Sequence, residues 1–209
     1  MTMYDWGHTG GFRNILTNFD VKELILEQRV VNNIRRENKE LVERVASEYS
    51  LKISTKKTGD EIYAGDAAVT KMGPVKEYNK SNTNIEKPDR CNSSVYRIDS
   101  PSFNALLMSD AQIPAENDML ASDSELESDI LITGHHGVGP VNSIDFLDRV
   151  SPDLTIIDPA SKGYNDWLLD SMSKLEYLDN SDVLSTSLVG TVVISTDSEN
   201  YNVETSSEV

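Results

Sequence analysis

Short apolar segments of strand length alternate with helical patterns through the second half of the chain, and this alternation constrains the fold more than any other feature. Strands are predicted at 94–98, 105–108, 129–132, 154–157 and 191–195. Apolar residues at helical spacing predict helices around 142–149 and 166–177. Because strands and helices both have to bury an apolar side, such a series forms layers of sheet and helix. We therefore expect an α/β fold in which helices cover mixed strands.

The first part of the chain carries similar patterns and ends in a polar loop. It predicts a short helix from residue 12, an amphipathic helix over 30–49, and strands at 21–26, 51–53 and 68–69. Residues 76–92 are rich in Asn, Lys, Ser and Pro, which favours a loop. The cations of this loop could face a phosphate, although a solvated loop is the simpler interpretation. They are Lys76, Lys80, Lys87 and Arg90.

The size and cysteine content indicate one domain without disulfides. A chain of 209 residues fits a single domain, since domains usually hold roughly 100–200 residues. We assign 1–200 to this domain and 201–209 to a flexible acidic tail. Cys91 is the only cysteine, which excludes an intrachain disulfide and a cysteine-rich zinc site and agrees with a cytoplasmic location. Apolar runs such as 104–108 are much shorter than the roughly 20 residues that span a bilayer, so no membrane segment is expected.

The chain is strongly acidic, with a formal net charge of −16. Most of its surface would repel nucleic acid, because nucleic-acid binding depends on clustered cations. Any contact with nucleic acid would therefore be local, mediated by metal or assisted by salt. A salt-rich, halophilic setting is one interpretation of this acidity, since salt screens the repulsion between like charges.

All three histidines lie in two short segments flanked by glycine. His8 lies in Asp5-Trp6-Gly7-His8-Thr9-Gly10-Gly11, and the pair His135-His136 lies in Gly134-His135-His136-Gly137, directly after the apolar run 130–132. Imidazole is the commonest nitrogen ligand for zinc and the usual proton carrier near neutral pH. The alternative interpretation is a histidine in a surface turn together with a chance pair.

Carboxylates follow the same kind of pattern, at or near the ends of predicted elements. Asp110 follows the strand at 105–108, and Asp5 stands three residues before His8. Ligands gather at strand ends in layered α/β folds, and carboxylates with imidazoles suit zinc, manganese or iron. Taken alone, Asp110 would most often be a cap or turn residue.

These segments resemble the metallo-β-lactamase superfamily, and within it the carboxy-terminal domain of ComEC-type proteins of DNA uptake. The family segment His-x-Asp-x-Asp-His-x-Gly-Gly is similar to residues 3–11. Its Asn-x-Ser before a strand is similar to 92–94, and its strand ending in Gly-Asp to 106–110, with Glu116 downstream. Its His-His-Gly matches 135–137. The spacing of these blocks is similar across nearly all of residues 2–196.

The resemblance implies an αββα sandwich that binds one or two zinc or manganese ions and hydrolyses phosphodiester or ester bonds. Asp5 and His8 would belong to the first group of metal ligands, Asp110 would bridge the metals, and His135 or His136 would complete the set. Asp110 and His136 would take part in catalysis. If the histidine pair lies on an extended strand, only one of the two faces the metal, and the sequence leaves open which. The implied partner is a phosphodiester or another small anion, with single-stranded DNA as a candidate.

Several positions depart from the family pattern. Met3 stands where the family has its first His, and Gly7 stands where it has an Asp. A thioether is a poor ligand for a hard divalent ion, and glycine offers none. Ser109 replaces the glycine of Gly-Asp, and the first strands of the family have no counterpart before residue 3. These departures predict a weak metal site and impaired hydrolysis.

Two other interpretations stay open. The chain could be a non-catalytic interaction module that retains the fold, or a truncated remnant of a longer protein. A sheet that lacks its first strands would expose unpaired backbone groups at one edge, and a partner chain could cover that edge.

Overall fold

The amino-terminal part of the chain contains three helices and a pair of parallel strands. The computed structural model describes residues 1–29, 33–79, 88–159, 181–197 and 199–207. In chain order, the first elements are α1 (Trp6–Thr9), α2 (Phe12–Asn18), β1 (Glu23–Leu26), α3 (Asn33–Glu48) and β2 (Lys52–Thr55). Strands β1 and β2 are parallel, so the connection between them that contains α3 is a crossover.

The apolar side of α3 is buried in this part of the molecule, which confirms the predicted amphipathic helix. Val42, Val45 and Ala46 are buried in one cluster with Tyr4 and with apolar residues of α2 and β1. The segment before α1 lies along β1, because the Met1 amino group donates to the Ile25 carbonyl oxygen at 2.6 Å. The segment that carries Asp5 is thereby fixed between β1 and α3.

A seven-stranded mixed sheet forms the centre of the fold and confirms the predicted α/β class. In sheet order its strands are β3 (Glu61–Ala64), β4 (Ala67–Gly73), β5 (Val95–Asp99), β6 (Asn104–Leu107), β7 (Ile130–Ile132), β8 (Leu154–Ile157) and β9 (Asp182–Ser185). Neighbouring strands are antiparallel from β3 to β6 and parallel from β6 to β9. The carboxyl ends of β6, β7 and β8 therefore lie at one edge of the sheet, where ligand sites of such sheets form.

Helices cover one face of this sheet. They include α4 (Pro88–Cys91), α5 (Ile113–Leu120) and α6 (Ile144–Val150). A short irregular turn spans Gly134–Gly137 between β7 and α6. Phe146, Leu147 and Val150 of α6 are buried in the largest apolar cluster of the described residues. The helix predicted around 142–149 is confirmed, although Ile144, expected on its apolar side, is 49% exposed.

A β-hairpin covers part of the other face. After the single turn α7 (Thr186–Val189), β10 (Val192–Thr196) pairs with the antiparallel β11 (Tyr201–Thr205). Apolar side chains of the hairpin pack against those of β6, β7 and β8. Residues 201–205, which the sequence places in a flexible tail, form β11, and the Tyr201 ring packs edge-on against Phe103, at 5.6 Å between ring centroids.

Two predictions fall partly or wholly outside the described residues. The helix at 166–177 lies there entirely, and so do residues 80–87 of the predicted polar loop. None of the described helices has the length and apolar character needed to cross a membrane.

Candidate metal site

Helix α1 holds Asp5 and His8 side by side. Asp5 precedes the first residue of α1, and its Oδ1 accepts a hydrogen bond from the His8 backbone N–H at 3.1 Å, as a helix-capping side chain does. The same oxygen lies 2.7 Å from His8 Nδ1. The three-residue spacing brings the two side chains to the same side of one turn. Because the carboxylate holds Nδ1, His8 directs Nε2 toward the rest of the site.

The contact between Asp5 and His8 shifts both of their pKa values. The hydrogen bond from His8 lowers the pKa of Asp5 to about 2, although burial acts against it. The hydrogen bond to Asp5 raises the pKa of His8 from its ordinary value, again against burial, and the nearby Asp110 charge adds to this effect. In the absence of metal, the two side chains therefore form an ion pair.

Asp110 lies at the carboxyl edge of the central sheet, just after β6. Its side chain is only 4% exposed, and its Oδ1 is buried without a hydrogen-bond partner among the described residues. This oxygen lies 3.7 Å from His8 Nε2 and 3.8 Å from His136 Nε2. Both distances are too long for hydrogen bonds. A buried carboxylate oxygen without a donor costs free energy unless a cation is bound to it.

His136, and not His135, faces Asp110. The two residues form a turn after β7 in which both have the left-handed conformation, with φ of 59° for His136 and 44° for His135. Nδ1 of His136 donates to the Asp158 carbonyl oxygen at 2.9 Å, and Nδ1 of His135 donates to the Val138 carbonyl oxygen. A carbonyl can only accept, so Nδ1 carries a hydrogen in both rings, and Nε2 of His136 is the ring nitrogen that lies toward Asp110.

A close approach between two loops fixes this arrangement. A Cβ atom added to Gly134 would lie 2.2 Å from the Ala111 carbonyl oxygen, so only glycine fits there. The His135 backbone N–H also donates to the Ser109 carbonyl oxygen at 2.7 Å. The loop with Asp110 and the turn with the histidine pair are therefore held together by backbone contacts on both sides of Asp110.

The donor atoms of the site fit a divalent metal ion. Ligand atoms of Asp5, His8 and Asp110 all lie within 4.8 Å of one another, and the rings of His8 and His136 lie 6.1 Å apart. Two ligands of a tetrahedral zinc ion, each roughly 2.1 Å from it, lie roughly 3.4 Å apart. The separations of 3.7 and 3.8 Å around Asp110 Oδ1 are close to this spacing. A cation bound there would also give Asp110 Oδ1 the partner that it lacks among the described residues.

Comparisons with known proteins identify the fold. No family model matches the sequence, and no curated protein matches it. The metallo-β-lactamase fold protein YhfI from Bacillus subtilis matches the structure with a TM-score of 0.54, covering 89% of this chain and 73% of YhfI at 11% identity. CmlA, a diiron β-hydroxylase from Streptomyces venezuelae, matches with a TM-score of 0.55, and a mutant of the CmlA β-hydroxylase matches with 0.57. The chain has the metallo-β-lactamase fold.

The CmlA matches extend over only part of CmlA. Each covers 88% of this chain but 42% of CmlA, at 9% identity. At identities of 9–11%, the likeness to CmlA and YhfI concerns the fold alone.

Within this metallo-β-lactamase fold, the positions that depart from the expected motif have other contacts. Met3 is buried, and its Sδ accepts a hydrogen bond from Ser93 Oγ at 3.3 Å. Ser109 has the left-handed conformation with φ of 51°, which favours glycine, and its Oγ donates to Thr2 Oγ1 at 2.8 Å. A Cβ atom added to Gly7 would lie 3.4 Å from Asp5 Oδ1. An aspartate at position 7 would therefore have its side chain next to that of Asp5.

Glu116, the acidic residue downstream of Asp110, stabilises the fold next to the site. It is fully buried. Its carboxylate accepts hydrogen bonds from the backbone N–H groups of Asn142 and Ser143 at 2.7 and 2.9 Å and from Ser143 Oγ at 2.7 Å. Glu116 thus ties α5 to the start of α6.

Sequence reasoning missed two groups at the site. One is the Asp158 carbonyl oxygen, which orients His136 from the end of β8. The other is Arg35 of α3, whose charge acts on both Asp5 and Asp110. Asp158 directly follows a buried strand, and this position in the sequence could have indicated a place at the site. A single arginine in a charged helix gives no such indication.

Proposed function

We propose that this protein is a metal-dependent hydrolase that binds one zinc or manganese ion. His8, Asp110 and His136 hold the ion, and Asp5 orients His8 through Nδ1. One observation carries the proposal: the buried Asp110 Oδ1 has no hydrogen-bond donor among the described residues and faces two imidazole nitrogens at 3.7 and 3.8 Å. A buried carboxylate beside imidazole nitrogens is a set of ligands that suits zinc and other divalent ions.

The residues of the chain prepare this site before any substrate binds. Asp5 and the Asp158 carbonyl oxygen each accept from Nδ1 of a histidine and so direct Nε2 of His8 and His136 toward Asp110. The Asp110 carboxylate supplies the negative charge that a divalent ion needs. When bound, the ion supplies a Lewis acid and lowers the pKa of a coordinated water to roughly 7. The left-handed backbone of the histidine pair holds these groups in place.

A phosphodiester or another small anionic ester is the substrate class that we propose, as in ComEC-like domains. The net charge of −16 disfavours long nucleic acid, since binding long nucleic acid depends on many cations. Single-stranded DNA therefore fits only as a short segment in contact with the site. Because Met3 and Gly7 offer no ligands, a single ion is expected and hydrolysis is expected to be slow.

Metal content and hydrolysis test the proposal together. The full chain is dialysed against micromolar zinc or manganese, and the metal bound per chain is measured beside hydrolysis of bis(p-nitrophenyl) phosphate. We expect about one ion per chain and hydrolysis that chelation abolishes. Asp110→Asn should remove both. Asp66→Asn, the same chemical change at an exposed turn, should remove neither.

Two outcomes would overturn the proposal. Absence of bound metal after dialysis would exclude a metal-dependent activity. Stoichiometric metal without hydrolysis of phosphodiester or ester substrates would instead favour a non-catalytic interaction module that retained the fold.

A further inference from the structure

A cleft lies at the carboxyl ends of the two parallel strands in the amino-terminal part of the chain. Leu26 pairs with Thr55 in β1 and β2, so the residues that follow both strands lie at one edge, where parallel strands form ligand sites. The cleft has a volume of about 370 Å³, within the range of roughly 300–1,000 Å³ that small-molecule sites have. Residues 27–29 after β1, 55–57 at the end of β2, and Glu77 after β4 line it. None of these residues is a proposed metal ligand.

The most buried residue of this lining, Glu27, forms an ion pair with Lys71 of β4. The two side chains are 3% and 2% exposed. Oε2 of Glu27 also accepts a hydrogen bond from Ser94 Oγ at 2.7 Å, and Oε1 accepts from the Arg29 backbone N–H at 3.0 Å. Both carboxylate oxygens therefore have partners within the protein, and the buried Lys71 balances the charge of Glu27.

Cations exceed carboxylates in the rest of the lining. Arg29, Lys56 and Lys57 carry three positive charges, whereas Glu77 carries the one remaining negative charge. The Arg29 guanidinium lies 3.5 Å from Glu27 Oε1, so it shares the carboxylate of the buried ion pair. Three positive charges against one leave an excess of two at the cleft, in a chain whose net charge is −16.

The loop after β2 is fixed through its backbone, which leaves its ammonium groups available. The Lys56 carbonyl oxygen accepts from Lys71 Nζ at 3.0 Å, and the Lys57 backbone N–H donates to Asp60 Oδ2 at 2.8 Å. Within the described part of the chain, no ion pair is found for the ammonium group of Lys56 or of Lys57. The two lysines therefore lie at the cleft without an ion-pair partner there.

We propose that this cleft binds a small dianion of the phosphate monoester class. The excess of two positive charges matches the charge of roughly −1.5 to −2 that a phosphate monoester carries near neutral pH. Lysine binds phosphate as a point charge, and the planar guanidinium of Arg29 offers paired N–H donors. A ligand bound there would lie between the amino-terminal strands and the segment after β4. This binding does not rest on the proposed hydrolase function.

Calorimetric titration of the full chain with phenyl phosphate tests the proposal. Chelator is present throughout, so that no metal at Asp110 contributes to binding. Phenyl sulfate, which has a similar shape and one negative charge less, is the matched ligand. At pH 8 and low ionic strength, we expect phenyl phosphate to bind about tenfold more tightly than phenyl sulfate, and added salt should weaken its binding.

Substitutions at the cleft separate recognition from general attraction to the surface. Lys56→Gln with Lys57→Gln should weaken phenyl phosphate binding about tenfold. Lys22→Gln with Lys52→Gln removes the same charge from side chains that are 78% and 70% exposed and do not line the cleft. This control should change binding by less than about twofold. Glu77→Gln should strengthen binding about threefold, because it removes a negative charge from the lining, and a residue with only a structural role would not produce this gain.

Three outcomes would overturn the proposal. They are no detectable binding of phenyl phosphate by the natural protein, equal binding of phenyl sulfate, and equal losses in the two lysine double variants. Thermal melts accompany the titrations, and if the variant of Lys56 and Lys57 is unfolded, the sign of the change in Glu77→Gln decides. The hydrolase proposal is tested with metal and this proposal without it, so each can fail alone.

Discussion

The two regions that build the site differ in how they fix their side chains. On the α1 side, Asp5 and His8 contact each other within one helical turn, and Asp5 is 38% exposed. On the sheet side, Asp110 is 4% exposed, and loops from different strands hold it against His136. Local contacts thus fix the first region and long-range packing the second. We expect substitutions on the sheet side to weaken metal binding more than substitutions on the α1 side.

The largest effect is expected from Asp110→Asn on the sheet side. An amide is a weak ligand for zinc, so zinc affinity should fall by more than about a hundredfold. Mutation of groups that only orient the ligands typically lowers metal affinity by about 10–100-fold. Without metal, the thermal midpoint should hold or rise, because the change removes a buried charge without a donor. Zinc competition titrations and melts in chelator measure both quantities. A zinc affinity within tenfold of the natural protein would show that Asp110 is not a ligand.

The histidine pair provides a sharper comparison within the same turn. His136→Ala should weaken zinc binding about a hundredfold, since His136 Nε2 faces Asp110, whereas His135→Ala should change it less than about tenfold. Both variants lose one imidazole from a left-handed position, so they are matched in backbone effects. Equal losses, or a greater loss in His135→Ala, would reverse the assignment.

A smaller effect is expected from Gly134→Ala, which separates the two loops on the sheet side. The added Cβ would lie 2.2 Å from the Ala111 carbonyl oxygen, and such overpacking destabilises proteins by about 1–3 kcal/mol. Gly11→Ala is the control, because nothing lies within 4 Å of a Cβ there. Chemical unfolding measures both. If the two alanine variants are equally stable, the loops are not closely packed.

The smallest effect concerns pH and the α1 side. In metal-free protein, protonated His8 stabilises the fold, because its pKa is higher in the folded state than in the unfolded state. This contribution is complete below pH 6.5 and is lost as the pH rises through the pKa of the folded state. Folding lowers the pKa of Asp5 from 3.8 to about 2. Ionised Asp5 therefore stabilises the fold above pH 3.8, and this stabilisation is lost as the pH falls toward 2. The natural protein should therefore exceed Asp5→Asn in thermal midpoint most between pH 4 and 6.5.

Asparagine caps a helix about as well as aspartate, so this variant removes the charge and leaves the cap. Because Asp5 is more than a third exposed, solvent screening limits the difference to less than about 1 kcal/mol. Melts of both proteins in chelator at pH 5 and pH 8.5 check the sign. A larger advantage at pH 8.5 would contradict the ion pair.

The sequence predicted those parts of the molecule that depend on local pattern. The strands β5 to β8 and the helices α3 and α6 follow from apolar spacing, and the pairing of Asp5 with His8 follows from a spacing of three. The sequence did not predict which histidine of the pair, His135 or His136, faces Asp110. On an extended strand only one histidine of the pair would face the metal, whereas the structure has a left-handed turn at the pair.

Contacts between distant segments were beyond reach for a similar reason. The charge of Arg35 acts on Asp5 and Asp110, but nothing in the sequence around Arg35 distinguishes it from the other charged residues of α3. Strand β11 also escaped prediction, since its pairing with β10 and the contact of Tyr201 with Phe103 depend on the folded sheet.

The left-handed conformations of Ser109, His135 and His136 bear on how this protein could be engineered. Each such residue lowers the free energy of unfolding by about 1–2 kcal/mol relative to a relaxed backbone. The backbone conformation that positions the proposed ligands therefore reduces the thermal stability of the protein. Glycine at 109 or 135 would release strain without removing a proposed ligand, and these are the first substitutions to combine in a thermostable variant.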